Sequence, residues 1–196
     1  MNNTNPFIYS DDNKRYHTLN YYNKSSFNSK VFKAVIDAGF TCPNKDGTKG
    51  TGGCIYCMGG SGYFTEKSDG EIYDSVKRQL AAEKERIYKK HPDSLITAYF
   101  QANTNTYAPV ATLKEAYTAA LDFGVHGISI GTRADCLPDD VIALLCDINS
   151  KTHLTVELGL QTIHDKSAQI INRCYTYDEF LEGYRKLQES GIRTCL

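Results

Sequence analysis

Residues 94–131 read SLITAYFQANTNTYAPVATLKEAYTAALDFGVHGISIG, and this stretch decides the fold class. It opens with an apolar run over residues 94–100, carrying Leu95, Ile96, Ala98 and Phe100, of a length that suits a strand. A helix is predicted over residues 112–123. Thr112 and Glu115 have the spacing of a capping box there, and Gly124 offers a stop. A second strand is predicted over residues 127–131. Strand, helix and strand in this order build a parallel sheet covered by helices.

The alternation continues on both sides. Toward the C-terminus the pattern predicts a helix over 138–149 with Pro138 in its first turn, then a strand over 154–158. A short helix over 166–172, a longer one over 177–190 ended by Gly191, and a strand begun at 192–196 follow. Toward the N-terminus, Ile72, Val76, Leu80 and Ile87 recur at helical spacing within 71–90, and a strand is predicted over 30–36. That makes five candidate strands. A closed eight-stranded barrel takes roughly 250 residues, so a chain of 196 residues reads as an open α/β sheet or a barrel cut short. Residues 1–29 are polar and tyrosine-rich and read as an extended arm or cap, and residues 30–196 as the core domain.

Hydrophobic residues make up 41% and charged residues 23%, a globular balance that argues against global disorder. With 22 Lys and Arg against 23 Asp and Glu, the net charge of −1 excludes a strongly basic nucleic-acid coat protein. The seven cysteines are odd in number, which excludes complete intramolecular pairing. The opening residues carry no apolar leader, and the apolar run at 141–146 is far too short to cross a bilayer. The expectation is a cytoplasmic protein, not a membrane protein, with free or metal-bound thiols.

Residues 39–62 hold eight of the fifteen glycines together with Cys42, Cys54 and Cys57. Such glycine density excludes a helix or central strand, and a long structured loop calls for a ligand or a function. Zinc would want a fourth ligand, and no histidine stands at regular finger spacing. A thioredoxin-type pair would sit at a helix start, whereas Cys57 is followed by Met58-Gly59-Gly60. Neither alternative accounts for Cys42 or the glycines. A [4Fe–4S] cluster held by three cysteines, with one iron open, accounts for both. Following a strand, the loop would lie at the C-terminal edge of the sheet, where α/β folds place their chemistry.

These residues resemble the radical S-adenosylmethionine superfamily. The likeness is nearest to the bacterial YhcC/YtqA group, whose radical domain is similar to that of the Elp-type radical proteins. It is carried by Asn5-Pro6-Phe7, Lys14-Arg15-Tyr16, Phe40-Thr41-Cys42-Pro43-Asn44 and Gly52-Gly53-Cys54. It continues in residues 99–106 (YFQANTNT), 131–138 (GTRADCLP) and 157–162 (ELGLQT). The resemblance implies a partial TIM-like barrel of parallel strands, cut short at about the fifth strand. It implies Cys42, Cys54 and Cys57 as ligands of a [4Fe–4S] cluster whose open iron takes the methionyl group of S-adenosylmethionine. The activity implied is reductive cleavage of that molecule to a 5′-deoxyadenosyl radical acting on an unknown substrate, with flavodoxin or ferredoxin as electron donor.

By the same resemblance Tyr56 would pack over the cluster or the adenine. Gln101, Asn103 and Thr104 would meet the methionyl group, Glu157 and Gln161 the ribose, and Arg173 the methionyl carboxylate in a two-pronged contact. Arg133 and Asp135 would face the substrate. Each has a plainer competitor. Glu157 and Arg133 could serve structural ion pairs, Arg173 could be a helix-end arginine, and Gln101 and Asn103 could simply turn the backbone. Tyr56 could merely pack its loop, and Cys136 and Cys146 read as small core residues. The charged helix at 71–90 reads as a solvated outer face, with RNA contact as the tempting analogy.

The family continues past a fifth strand, whereas this chain stops at Leu196, so it reads as truncated. An uncovered sheet edge would then favour oligomers. Where the family carries Gly-His after Asn-Arg, this chain carries Cys174-Tyr175. Two other functions stay open on these grounds: a cluster- or cofactor-binding remnant without turnover, and a zinc or thiol module binding RNA.

Overall fold

The computed structural model describes residues 14–57 and 70–196. Asn5-Pro6-Phe7, Met58, Gly59, Gly60 and Gly62 lie outside the described residues.

Five strands form one sheet in the order of the chain: β1 (Val31–Ile36), β2 (Leu95–Phe100), β3 (Gly127–Thr132), β4 (His153–Leu158) and β5 (Arg193–Cys195). Every neighbouring pair is parallel, with Ala34 opposite Ala98, Tyr99 opposite Ser129, Gly131 opposite Glu157, and Glu157 opposite Cys195. Six helices accompany them among the described residues: α1 (Leu19–Phe27), α2 (Ile72–Tyr88), α3 (Val110–Phe123), α4 (Asp139–Asn149), α5 (Asp165–Ile170) and α6 (Tyr177–Glu189). The architecture is α/β, consistent with an incomplete TIM-like barrel.

Alternation along the strands explains the layering. Ala34, Ile36, Ile96, Ala98, Phe100, Ile128, Ile130, Leu154, Val156 and Leu158 share a buried core with Val76 and Leu80 of α2, Leu113 and Tyr117 of α3, and Leu144 and Leu145 of α4. Their neighbours in sequence, Lys33, Thr97, Tyr99, Ser129, Thr155 and Glu157, fall on the other face. That face is polar, so one side of the sheet is a core and the other is the wall of a site.

The strands match the expected ones to within a residue or two. The starts of the expected helices also match to within two residues, the largest difference being at α3. α3 begins after Pro109, and Thr112 donates its N–H to the Pro109 carbonyl, so Thr112 lies in the first turn rather than at the cap. The capping box is found instead at α6: Glu179 N–H donates to Thr176 Oγ1 at 3.2 Å, and Thr176 N–H donates to a Glu179 carboxylate oxygen at 2.7 Å.

The polar N-terminal region holds a helix. Thr18 caps α1 by accepting the Tyr21 N–H at 3.0 Å, and Asn28 ends it in the left-handed region. Phe27, the last residue of α1, stands edge-on to His126 at 4.3 Å and to His153 at 4.9 Å between ring centroids. His126 precedes β3 and His153 opens β4, so α1 docks at the N-terminal edge of the sheet, opposite the edge where the strands exit.

Candidate active site at the strand exits

After β1 the chain enters the cysteine loop. The Cys42 carbonyl accepts the N–H groups of Lys45 and Asp46, and the Pro43 carbonyl accepts those of Lys49 and Gly50. Gly53 N–H donates to the Asn44 carbonyl, and Cys57 N–H to the Cys54 carbonyl. The loop is therefore wound on its own backbone, with Asn44 fully buried at its centre. The Asn44 side-chain amide donates to Cys54 Sγ at 3.5 Å and to the carbonyl of Asn172. Asn172 returns a bond from Nδ2 to the Gly53 carbonyl at 2.8 Å. Two asparagines far apart in sequence thus fasten the cysteine loop to the segment that follows α5.

A cavity of about 420 Å³ opens beside this loop. Cys42, Cys54 and Cys57 all line it, as do Tyr56, Gln101, Asn103, Thr104, Arg133, Glu157, Gln161 and Arg173. Of the expected site residues, Asp135 alone is not among its lining. The three thiols are free of disulfides, Cys42 buried and Cys57 exposed. Among the described residues no three His, Cys, Asp or Glu side chains form a ready metal-holding group, so the sulfurs share a cavity without converging on one point.

Tyr56 is half exposed, and burial of its hydroxyl together with a hydrogen bond to Cys54 raises its pKa. Glu157 pairs with Lys33, whose ammonium stands 4.0 Å above the Tyr99 ring. Burial and the nearby Glu157 carboxylate push the Tyr99 hydroxyl up to about 12. Asn103 donates to the Phe40 carbonyl at 2.9 Å and accepts from the Lys45 ammonium at 2.6 Å. Thr104 is fully buried, and its Oγ1 has no hydrogen-bond partner although the residue lines the cavity. The Gln161 amide folds over Gly159, where a Cβ would meet Gln161 Nε2 at 2.4 Å.

Arg133 and Asp135 form an ion pair, with Arg133 in the cavity lining and Asp135 outside it. Arg133 grips Asp135 with Nε at 2.9 Å and one Nη at 2.8 Å, and its other Nη donates to the Arg173 carbonyl at 2.9 Å. Lys49 adds a bond to Asp135 at 2.7 Å and another to Glu179 at 3.1 Å. Burial opposes ionisation of Asp135, but the Arg133 and Lys49 hydrogen bonds outweigh it and hold the carboxyl below its usual range. Asp135 is held between Arg133, which lines the cavity, and Lys49, which also reaches Glu179 of α6.

Arg173 lines the cavity, and its guanidinium bonds backbone carbonyls. It is 1% exposed. Its Nη1 donates to the carbonyls of Leu160 and Thr162 at 2.7 and 2.6 Å, and Nε and Nη2 donate to the Tyr175 carbonyl at 3.1 and 3.0 Å. Those bonds fold the post-β4 loop back on itself. Tyr175 lies between the two arginines, 4.7 Å from the Arg133 guanidinium carbon and 4.3 Å from that of Arg173, and donates its hydroxyl to the Gly159 carbonyl at 2.7 Å. Cys136 is buried, which pushes its thiol up to about 12, and Cys146 packs on the core, so neither belongs to the site.

Sequence reasoning missed Asn44, Lys45 and Asn172. The available signal was adjacency: Asn44 and Lys45 follow Cys42-Pro43 directly.

The family model described as the Radical SAM superfamily matches residues 46–196. The chain is 48% identical over its whole length to the uncharacterized protein YtqA of Bacillus subtilis, covering 60% of that protein. It is 35% identical to the protein YhcC of Escherichia coli, over 86% of this chain and 53% of YhcC. It is 33% identical to the uncharacterized protein MJ0486 of Methanocaldococcus jannaschii, over 89% of this chain and 53% of that one. The chain thus spans between half and three-fifths of the length of these relatives. Among the described residues no helix is long and apolar enough to cross a membrane.

Proposed function

The chain belongs to the radical SAM superfamily, and from that premise we propose that it forms the core of an iron–sulfur enzyme that cleaves S-adenosylmethionine reductively. One observation carries the reading: Cys42, Cys54 and Cys57 open onto a single cavity at the strand exits together with Gln101, Asn103, Thr104, Glu157 and Gln161. The donor set fits a cluster with three cysteine ligands. None of the three sulfurs is held in a disulfide, and Thr104 Oγ1 is buried without a hydrogen-bond partner in the cavity wall. Their lack of convergence suits metal binding that draws its ligands together, since a site is rarely preformed without its ion.

In this reading Cys42, Cys54 and Cys57 hold a [4Fe–4S] cluster, which when bound supplies the electron for cleavage and an open iron for the methionyl group. Asn44 orients Cys54 through its amide. Asn103 and Thr104 offer hydrogen bonds to the methionyl end, and Glu157 and Gln161 to ribose hydroxyls. Tyr56, exposed on one side, covers the cavity against water. The substrate that receives the radical, and the flavodoxin or ferredoxin that delivers the electron, complete the proposal.

The test is anaerobic reconstitution followed by reduction with dithionite in the presence of S-adenosylmethionine. The proposal predicts 5′-deoxyadenosine and methionine from wild type and none from Cys54→Ala. Equal product from both defeats the assigned site. A loaded cluster without any product supports instead a binding core that lacks turnover.

A further inference from the structure

We infer that Cys174 is a site of oxidation by small hydroperoxides, and that the side-chain carbonyl of Asn44 holds the sulfenic acid formed there. The site lies behind the cysteine loop, in a second cavity, and does not depend on the proposed cleavage reaction.

Cys174 is half-buried and free of disulfides. It lines a cavity of about 370 Å³ together with Asp165, Gln169, Asn172 and Thr176, and Cys42, Cys54 and Cys57 take no part in that lining. Its Sγ donates to Asn172 Oδ1 at 3.3 Å, which fixes the thiol in the cavity wall. Cys174 stands at φ +59 and Asn172 at φ +55, a backbone that residues with a Cβ rarely adopt.

Asn44 supplies the second half of the site. Its Nδ2 donates to Cys54 Sγ at 3.5 Å and to the Asn172 carbonyl. A carbonyl only accepts, so the bond to Asn172 decides which end of the amide is the nitrogen. Oδ1 is left on the other side, fully buried and without a hydrogen-bond partner. A Cβ built on Gly50 would meet Asn44 Oδ1 first and Cys174 Sγ next, at 2.9 Å. The glycine thus lets the unpartnered acceptor and the thiol pack against the same backbone. A thiol is a weak donor. Sulfenic acid extends the sulfur by one oxygen and carries an O–H, the donor that the buried Oδ1 lacks.

In the step itself, the Cys174 thiolate attacks one peroxide oxygen. An S–O bond forms and the O–O bond breaks. The sulfur gives up two electrons, and the departing oxygen takes the proton that the thiol lost.

The experiment gives the chain a pulse of hydrogen peroxide, ends it with catalase, and adds dimedone, which traps sulfenic acids, after increasing delays. Peptide mass spectrometry reads each cysteine. Cys195, exposed at the end of β5, is the reference thiol. The inference predicts a dimedone adduct on Cys174, from a sulfenic acid that outlasts the one on Cys195 by about tenfold, the scale of one good hydrogen bond. Cys174→Ser removes that adduct and leaves the Cys195 adduct unchanged. No adduct on Cys174 overturns the inference. So does a Cys174 sulfenic acid that decays as fast as that of Cys195, or one that passes at once into a disulfide, since either shows that Asn44 does not hold it.

Discussion

The side-chain amide of Asn44 lies 3.5 Å from Cys54 Sγ, and the same nitrogen donates to the carbonyl of Asn172, 128 residues away. One buried group thereby joins Cys54, a cluster ligand in the proposed function, to the segment that follows α5. Asn44→Ala removes both bonds. The expected result is a loss of about 2 kcal/mol in urea unfolding of the unloaded chain, from two buried hydrogen bonds. In the loaded chain the midpoint potential should fall, because an N–H donor to a ligating sulfur favours the reduced cluster. An unchanged potential would show that the contact with Cys54 is incidental.

Arg173 is a clamp, and its substitution should act on stability. Arg173→Met leaves the carbonyls of Leu160, Thr162 and Tyr175 without their donors in a buried setting. Unfolding free energy should drop by about 3 kcal/mol, with proteolysis appearing first in the segment between β4 and α6. Arg173→Lys should recover little, since one ammonium cannot reproduce the planar fork. A wild-type melting temperature for Arg173→Met would contradict the clamp.

The N-terminal edge of the sheet carries the clearest pH dependence. Burial lowers the pKa of His126. Burial, with Arg193 and His126 nearby, brings His153 down to about 4. Both therefore stay neutral in the fold while the unfolded chain takes up protons below about 6.5. Their contribution is fully present above that value and is lost as pH falls from about 6.5 toward 4. Partial solvation of the rings limits the loss to about 1–2 kcal/mol. Melting curves between pH 7.5 and 5 should show it, and His153→Gln should flatten the slope, as should removal of the Phe27 ring that covers both histidines. These ranges are set by the reference histidine pKa of about 6.5.

Gly183 of α6 marks where that helix meets the β3 exit. A Cβ built there would stand 2.0 Å from the Ala134 carbonyl oxygen. Gly183→Ala should therefore destabilise the chain by about 3 kcal/mol, against the small gain that alanine brings to an ordinary helix interior. Chemical denaturation of the variant measures the sign directly. A stabilised variant would mean that α6 can shift outward freely.

The sheet was legible because its strands are bounded apolar runs: 94–100 and 127–131 correspond to β2 and β3, and even the three-residue β5 falls within the expected 192–196. α1 was hidden, since it is polar and sets one ring, Phe27, against the sheet edge without a repeating apolar stripe. The capping box over Thr112 failed because Pro109 already starts the helix one turn earlier. At the site, residue type and position after a strand were enough to bring Cys42, Gln101, Asn103, Thr104 and Glu157 to one cavity. Direction was not readable. Asp135 and Arg173 follow strands as expected, yet which partner each side chain meets depends on Lys49 and on loop carbonyls remote in sequence. The Asn44–Asn172 bond was invisible for the same reason.

The most direct test of the central claim is the metal content of the chain after anaerobic reconstitution with iron and sulfide, read by chemical analysis and Mössbauer spectroscopy. The account predicts about four irons and four sulfides per chain in wild type, with one iron distinguished by its open position. It predicts loss of that cluster in each of Cys42→Ala, Cys54→Ala and Cys57→Ala. A wild-type chain that takes up no iron and holds a single tightly bound zinc would contradict it, as would cysteine variants that load as wild type does.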